Sequence, residues 1–232
     1  MTGMARPRGF PLWSKLLLTG FSAVLVWFYW KSYGPTNFLY FCDVALLVSV
    51  IAVWTERSIW ASMPAVGILI PQAVWCVDFM FGVVGGRLTG MTDYMFDQNL
   101  TLFTRGLSFF HFWLPFLLLW MVWTLGYDRR ALLGWTVIAL VLLLVCWLWM
   151  PGPPVPEDNK NLPVNINYVF GPSDKEAQTW MDPRAWFALL FFGLPLLVYL
   201  PTHLALRWLF PVPHGVGDLQ DRREAIQTMP ER

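Results

Sequence analysis

A thiol, two carboxylates and an imidazole lie inside otherwise apolar stretches, and these are the groups that could do chemistry. Cys42 and Asp43 are adjacent in residues 37–54, Asp78 falls in residues 59–84, and His111 falls in residues 103–125. A deprotonated thiol is strongly nucleophilic, so Cys42 is a candidate nucleophile, with His111 placed to take its proton. Asp43 or Asp78 could then orient the imidazole, in the nucleophile, base and orienter pattern of acyl transfer. Cys42 and Asp43 stand about 100° apart on a helix. They cannot both point at His111, which favours Asp78 as the orienter.

A carboxylate at the centre of a membrane helix costs about 2.5–3.5 kcal/mol on insertion scales, so it is expected to face the interior of a bundle and to have a partner. On one continuous helix Asn37, Tyr40 and Asp43 would form a polar stripe. Thr104, Ser108, His111 and Pro115 would form another face. With spans of these lengths, Asp43 and Asp78 each lie about 9 Å and His111 about 12 Å below the outer ends of their helices. The three are therefore expected to share one layer in the outer leaflet. Buried acids can also serve only to join helices.

The elements that must position these groups follow from composition. Of 232 residues, 56% are hydrophobic and 13% charged, which excludes an ordinary soluble core and implies one integral membrane domain. The expected fold is all-α, a polytopic six-helix transmembrane bundle, with spans at 16–30, 37–54, 59–84, 103–125, 131–150 and 184–209. Residues 1–15 read as a basic cytoplasmic leader, 16–209 as the membrane domain and 210–232 as a mobile cytoplasmic tail. The large residues Trp27–Trp30 argue against a cleaved signal peptide. Ten Lys and Arg fall on the side of the termini and six on the other. The positive-inside rule then places both termini in the cytoplasm, in a plasma or inner membrane.

Cys42, Cys76 and Cys146 all sit in apolar segments, so no disulfide framework or zinc site is indicated. Cys76 and Cys146 read as packing residues, and His203 and His214 lie away from the polar layer. No glycine-rich phosphate loop or Gly-x-Ser-x-Gly elbow occurs, and no cofactor or metal is expected. No basic cluster points to nucleic acid, leaving membrane lipid as the expected partner.

Three stretches resemble known families. Tyr33-Gly-Pro-Thr-Asn-Phe-Leu-Tyr-Phe-Cys-Asp-Val44 resembles the second-helix motif of the androgen-induced family of membrane hydrolases, Tyr-Gly followed by Phe-Leu-Thr-Phe-Ile-Asp. His111-Phe-Trp-Leu-Pro-Phe116 resembles their histidine helix, in which the histidine stands one residue further from Leu-Pro-Phe. Asn165-Ile-Asn-Tyr-Val-Phe170 resembles the Asn-Tyr-Met-Phe signature of the YwaF-type bacterial integral membrane proteins. The hydrolases are six-helix proteins that cleave fatty acid esters of hydroxy fatty acids with a threonine and a histidine. Tyr40 stands at the threonine position, whereas Cys42 matches a vertebrate acyltransferase branch.

The resemblance to the YwaF-type proteins implies the fold, and those to the hydrolases and to the acyltransferase branch imply a lipid acyl hydrolase or acyltransferase. In that reading Tyr40 and Ser108 line the substrate, and Asn165, Asn167 and Tyr168 cover it or supply oxyanion donors. The rival classes are a transporter or proton-linked carrier, with Asp43, Asp78 and His111 as a relay, and a non-catalytic membrane assembly protein.

Overall fold

The computed structural model describes residues 9–210, and no strand occurs among them. Arg6, Arg8 and His214 lie outside the described residues, as does the tail from residue 211 onward. Six helices form the bundle: α1 Leu12–Tyr33, α2 Phe41–Thr55, α3 Ser58–Val83, α4 Leu102–Leu125, α5 Ala131–Trp149 and α6 Pro183–Leu209. Five are long and apolar enough to cross a membrane, as in an integral membrane protein. The exception is α2. Its 15 residues span only about 22 Å, short of a hydrocarbon core of about 30 Å.

Tight turns at 56–57 and 126–130 define one end of the bundle, the turn end. The opposite, loop end carries segments 34–40, 84–101 and 150–182. Local chemistry sets the helix boundaries. Gly34, at φ +81°, stops α1, and Pro35 opens a 3-10 turn over Pro35–Leu39. Thr101 caps α4 by accepting the Thr104 N–H at 3.1 Å. Asp182 caps α6, accepting from Arg184 N at 2.8 Å and Ala185 N at 3.3 Å, with Pro183 in the first turn. Within α6 the residues Leu194–Tyr199 form a wider π turn.

The central helix is α3, packed against α2, α4 and α5. Small buried residues, Ala45 and Ala52 on α2 with Ala61 and Ala65 on α3, let these helices approach closely. Gly67 is required where α5 crosses, because a Cβ there would come within 1.8 Å of the Trp135 ring. Trp13, Leu17, Trp27, Leu133, Trp149 and Trp208 point outward as a lipid-facing surface.

Four of the expected spans match to within a residue at each end, and α1 extends the first at both ends. The second does not match. Tyr40 is extended (φ −63°, ψ 137°), so no single helix carries Asn37, Tyr40 and Asp43, and α2 starts at Phe41. The cause is tertiary: the Asn167 side chain reaches across from the long loop and takes the Phe41 N–H.

Candidate functional site

His111 owes its setting to an irregular backbone. Pro115 has no N–H to offer the carbonyl four residues earlier, which is that of His111. The Cys76 thiol of α3 approaches this carbonyl and that of Phe112, each at 3.8 Å. One turn earlier α4 breaks at Phe109, where the Phe112 N–H bonds the Phe109 carbonyl at 3.0 Å. The imidazole turns back there, and its Nδ1 lies 2.7 Å from the Ser108 carbonyl oxygen. A carbonyl oxygen only accepts, so Nδ1 carries the hydrogen and the neutral ring keeps its lone pair on Nε2. The ring stacks on Trp75 (centroids 5.2 Å, 21°) and lies tilted against Phe110 (4.1 Å, 37°). The Ser108 hydroxyl pairs with Tyr29 OH at 2.9 Å, and that of Thr104 with Thr101 at 2.9 Å.

Cys42 and Asp43 occupy the first turn of α2, where backbone N–H groups have no partner within the helix. Such a turn favours negative charge, and Asp43 is placed accordingly. Asp43 is buried. Its Oδ2 accepts from Asn37 Nδ2 at 3.2 Å, while Oδ1 has no partner among the described residues. Cys42 is a free, half-buried thiol. Tyr40 leans toward the long loop, its hydroxyl 3.5 Å from the Val164 carbonyl oxygen.

The ionisable groups form a ladder rather than one layer. Since α2 and α3 run antiparallel from the tight turn at 56–57, heights can be counted from it. Asp43 stands about 18 Å up α2 and Gln72 about 21 Å up α3, by helical rise. His111 is level with Trp75 and Cys76, about 26 Å up, and Asp78 is about 30 Å up. The expected shared depth fails because α2 has 15 residues and α3 has 26, so their loop ends are not level and equal distances below those ends are different heights.

Asp78 does not orient His111. Its carboxylate accepts the N–H groups of Thr89 (2.6 Å), Gly90 (3.1 Å) and Thr92 (2.9 Å), and the Thr92 hydroxyl (2.6 Å). It thereby folds the loop after α3. The Ser108 carbonyl takes the orienting role instead.

The asparagines of the long loop are likewise occupied. Asn165 Nδ2 donates to the Gly171 and Ser173 carbonyls, both at 2.9 Å, and its Oδ1 accepts from Phe170 N at 2.8 Å. Asn167 accepts from Phe41 N at 3.0 Å and donates to the Leu39 carbonyl at 2.9 Å. Their amide donors are thus committed to holding the loop over the start of α2, which removes them as oxyanion donors. Asn165, Asn167 and Tyr168 all have left-handed φ values (50°, 57° and 60°). Such strain, of order 1 kcal/mol or more each, persists only where surroundings enforce it.

Tyr168 is 36% exposed, and its carbonyl oxygen accepts the Trp186 indole N–H at 2.7 Å; partial burial of the phenol raises its pKa. Tyr94, which accepts the Trp75 indole N–H at 3.2 Å, is raised by burial and, more weakly, by Tyr29 and Cys42. Above them, burial pushes the Asp174 carboxyl up to about 6, against a lowering hydrogen bond from Asn165.

Four participants escape a reading by residue pattern: Tyr29, Gln72, Trp75 and Tyr94. The three aromatics look like interface belt residues, since their apolar neighbours carry the same composition. Gln72 alone had a signal, a polar side chain inside an apolar helix; it is buried with its Oε1 unpartnered among the described residues. No group of three His, Cys, Asp or Glu among the described residues could hold a metal ion. Comparison with protein-family models, curated proteins and solved structures gives no match.

Proposed function

We propose that this integral membrane protein is a lipid acyl hydrolase or acyltransferase, with Cys42 as nucleophile and His111 as base. The observation that carries this reading is the His111–Ser108 contact, which leaves Nε2 as the unprotonated, basic nitrogen of the imidazole. Cys42 supplies the second part, a free thiol in the first turn of α2. The motif resemblances to the membrane hydrolases and the acyltransferase branch point the same way.

The steps follow from general chemistry. The Cys42 proton passes to His111 Nε2 through bridging water, because the two groups differ in height by roughly 6 Å and do not touch. The thiolate attacks the ester carbonyl, and the oxyanion is received by the N–H groups of Cys42 and Asp43 in the first turn. The C–O bond breaks, and the imidazolium returns its proton to the departing alcohol. Water or an acceptor hydroxyl then cleaves the thioester and restores the thiol.

A proton-linked carrier is the second reading. It is favoured by two buried oxygens at similar height, Asp43 Oδ1 and Gln72 Oε1, that have no partner among the described residues.

A thiol-reactive lipid analogue, added to membranes containing the full chain, distinguishes the two. Labelling at Cys42 that is lost in Cys42→Ala and slowed in His111→Ala supports acyl transfer. Absence of labelling, together with loss of proton-coupled flux in Asp43→Asn, sinks it in favour of the carrier.

A further inference from the structure

A second feature lies at the opposite, turn end of the bundle. A groove of about 970 Å³ opens there between the starts of α3 and α5. Arg57 and Arg130 stand at its mouth, and Met63, Leu133, Val137 and Ile138 form its walls. Leu133 is 72% exposed and Val137 53%, so this wall faces the lipid rather than the bundle core.

The charges at the mouth do not cancel. Glu56 is held by Lys15 at 2.6 Å and by the Phe10 N–H at 3.1 Å. Asp128 is held by Arg130 in a two-pronged contact, Nε to Oδ1 at 3.1 Å and Nη2 to Oδ2 at 2.7 Å. Both carboxylates are therefore neutralised. Arg57 makes no ion pair or side-chain hydrogen bond among the described residues. Two helices also begin here: the start at Ser58 carries no side-chain cap, whereas at the start of α5 the Asp128 carboxylate accepts the Arg130 N–H at 3.0 Å. The partial positive charge at the start of α3 adds to that of Arg57.

A cationic mouth above an apolar, outward-facing slot matches an amphiphile with an anionic head. We infer that the groove binds one anionic glycerophospholipid, its phosphate at Arg57 and the start of α3, one acyl chain along Leu133 and Val137. The lipid belongs to the leaflet at the turn end. The inference is independent of the chemistry proposed for Cys42 and His111, which lie at the other end.

The test is native mass spectrometry of the full chain after exchange into phosphatidylglycerol or phosphatidylcholine. One phosphatidylglycerol per chain is expected to survive detergent removal, with phosphatidylcholine lost. Arg57→Gln should weaken retention about fivefold or more, and Val137→Trp, which fills the slot from the lipid side, by a similar factor. Arg207→Gln, with the same loss of charge outside the groove, should leave retention unchanged. Equal retention of both lipids overturns the inference. So does an undiminished signal in Arg57→Gln, or an equal loss in Arg207→Gln. Thermal unfolding of each variant separates loss of the lipid from loss of the fold.

Discussion

His111 Nδ1 and the Ser108 carbonyl oxygen are 2.7 Å apart, and this one contact fixes which imidazole nitrogen can act as a base. It also separates a structural role from a chemical one. In His111→Asn the side-chain amide can still donate toward Ser108, but no basic nitrogen remains. The variant should unfold within a few degrees of the parent while turnover falls by about 10²–10⁴, the usual worth of a general base. Thermal unfolding and lipid turnover measured on one preparation check both halves. Equal loss of stability and activity would reduce His111 to a packing residue.

Cys42 and His111 act as one unit in the proposed chemistry. Cys42→Ala and His111→Ala should each abolish turnover, and the double variant should lose no more than either single one. Full activity in Cys42→Ala would instead point to a water activated by His111.

Asp78 serves the loop that follows α3. Its four accepted hydrogen bonds predict that Asp78→Ala costs about 3 kcal/mol or more, by leaving several donors unpaired. Limited proteolysis should then cut between residues 85 and 93 before any helix is attacked. An unchanged digestion pattern would refute the anchoring role.

Asp174 gives the long loop a pH dependence of definite sign. Its carboxyl, raised from 3.8 to about 6 chiefly by burial, binds a proton more tightly in the folded loop than in the unfolded one. The loop is therefore most stable below about pH 4 and loses this contribution as pH rises through about 6. Hydrogen exchange at Asn165 and Phe170 should be slower at pH 5 than at pH 7, once corrected for intrinsic rates. Asp174→Asn should flatten the difference.

Topology can be read by labelling. A cysteine placed in residues 151–183 should react with an impermeant reagent outside intact cells, and one at residues 127–130 should not. The reverse pattern would put the polar site in the cytoplasmic leaflet.

Hydropathy alone located five of the six helices, because an apolar run bounded by Gly, Pro and charge has few other solutions. The start of α2 was not legible. The residues after Asn37 are as apolar as a helix requires, and only Asn167, 126 residues from Phe41, stops the helix short. The depth comparison of Asp43 with Asp78 failed for a separate reason, the 15 residues of α2 against the 26 of α3, which leave their loop ends at different heights. The importance of the Asn165-Ile-Asn-Tyr stretch was visible, but its job was not. Whether an asparagine faces a substrate or clamps a backbone depends on a left-handed turn that composition does not encode. His111 was recognisable from its type and neighbourhood, whereas its orienter is a main-chain carbonyl that no side-chain pattern reveals.

The shortness of α2 bears on how the protein enters the bilayer. A 15-residue helix with a carboxylate near one end and 3-10 backbone beyond it gains too little from lipid to be stable there by itself. Its partner is the next segment, joined through a two-residue reversal at Glu56 and Arg57, with Glu56 in a left-handed conformation. During synthesis α2 and α3 should therefore enter the membrane as a hairpin, the longer helix carrying the shorter. Lesions in that reversal should show first as failed membrane integration, before any loss of stability in the finished protein.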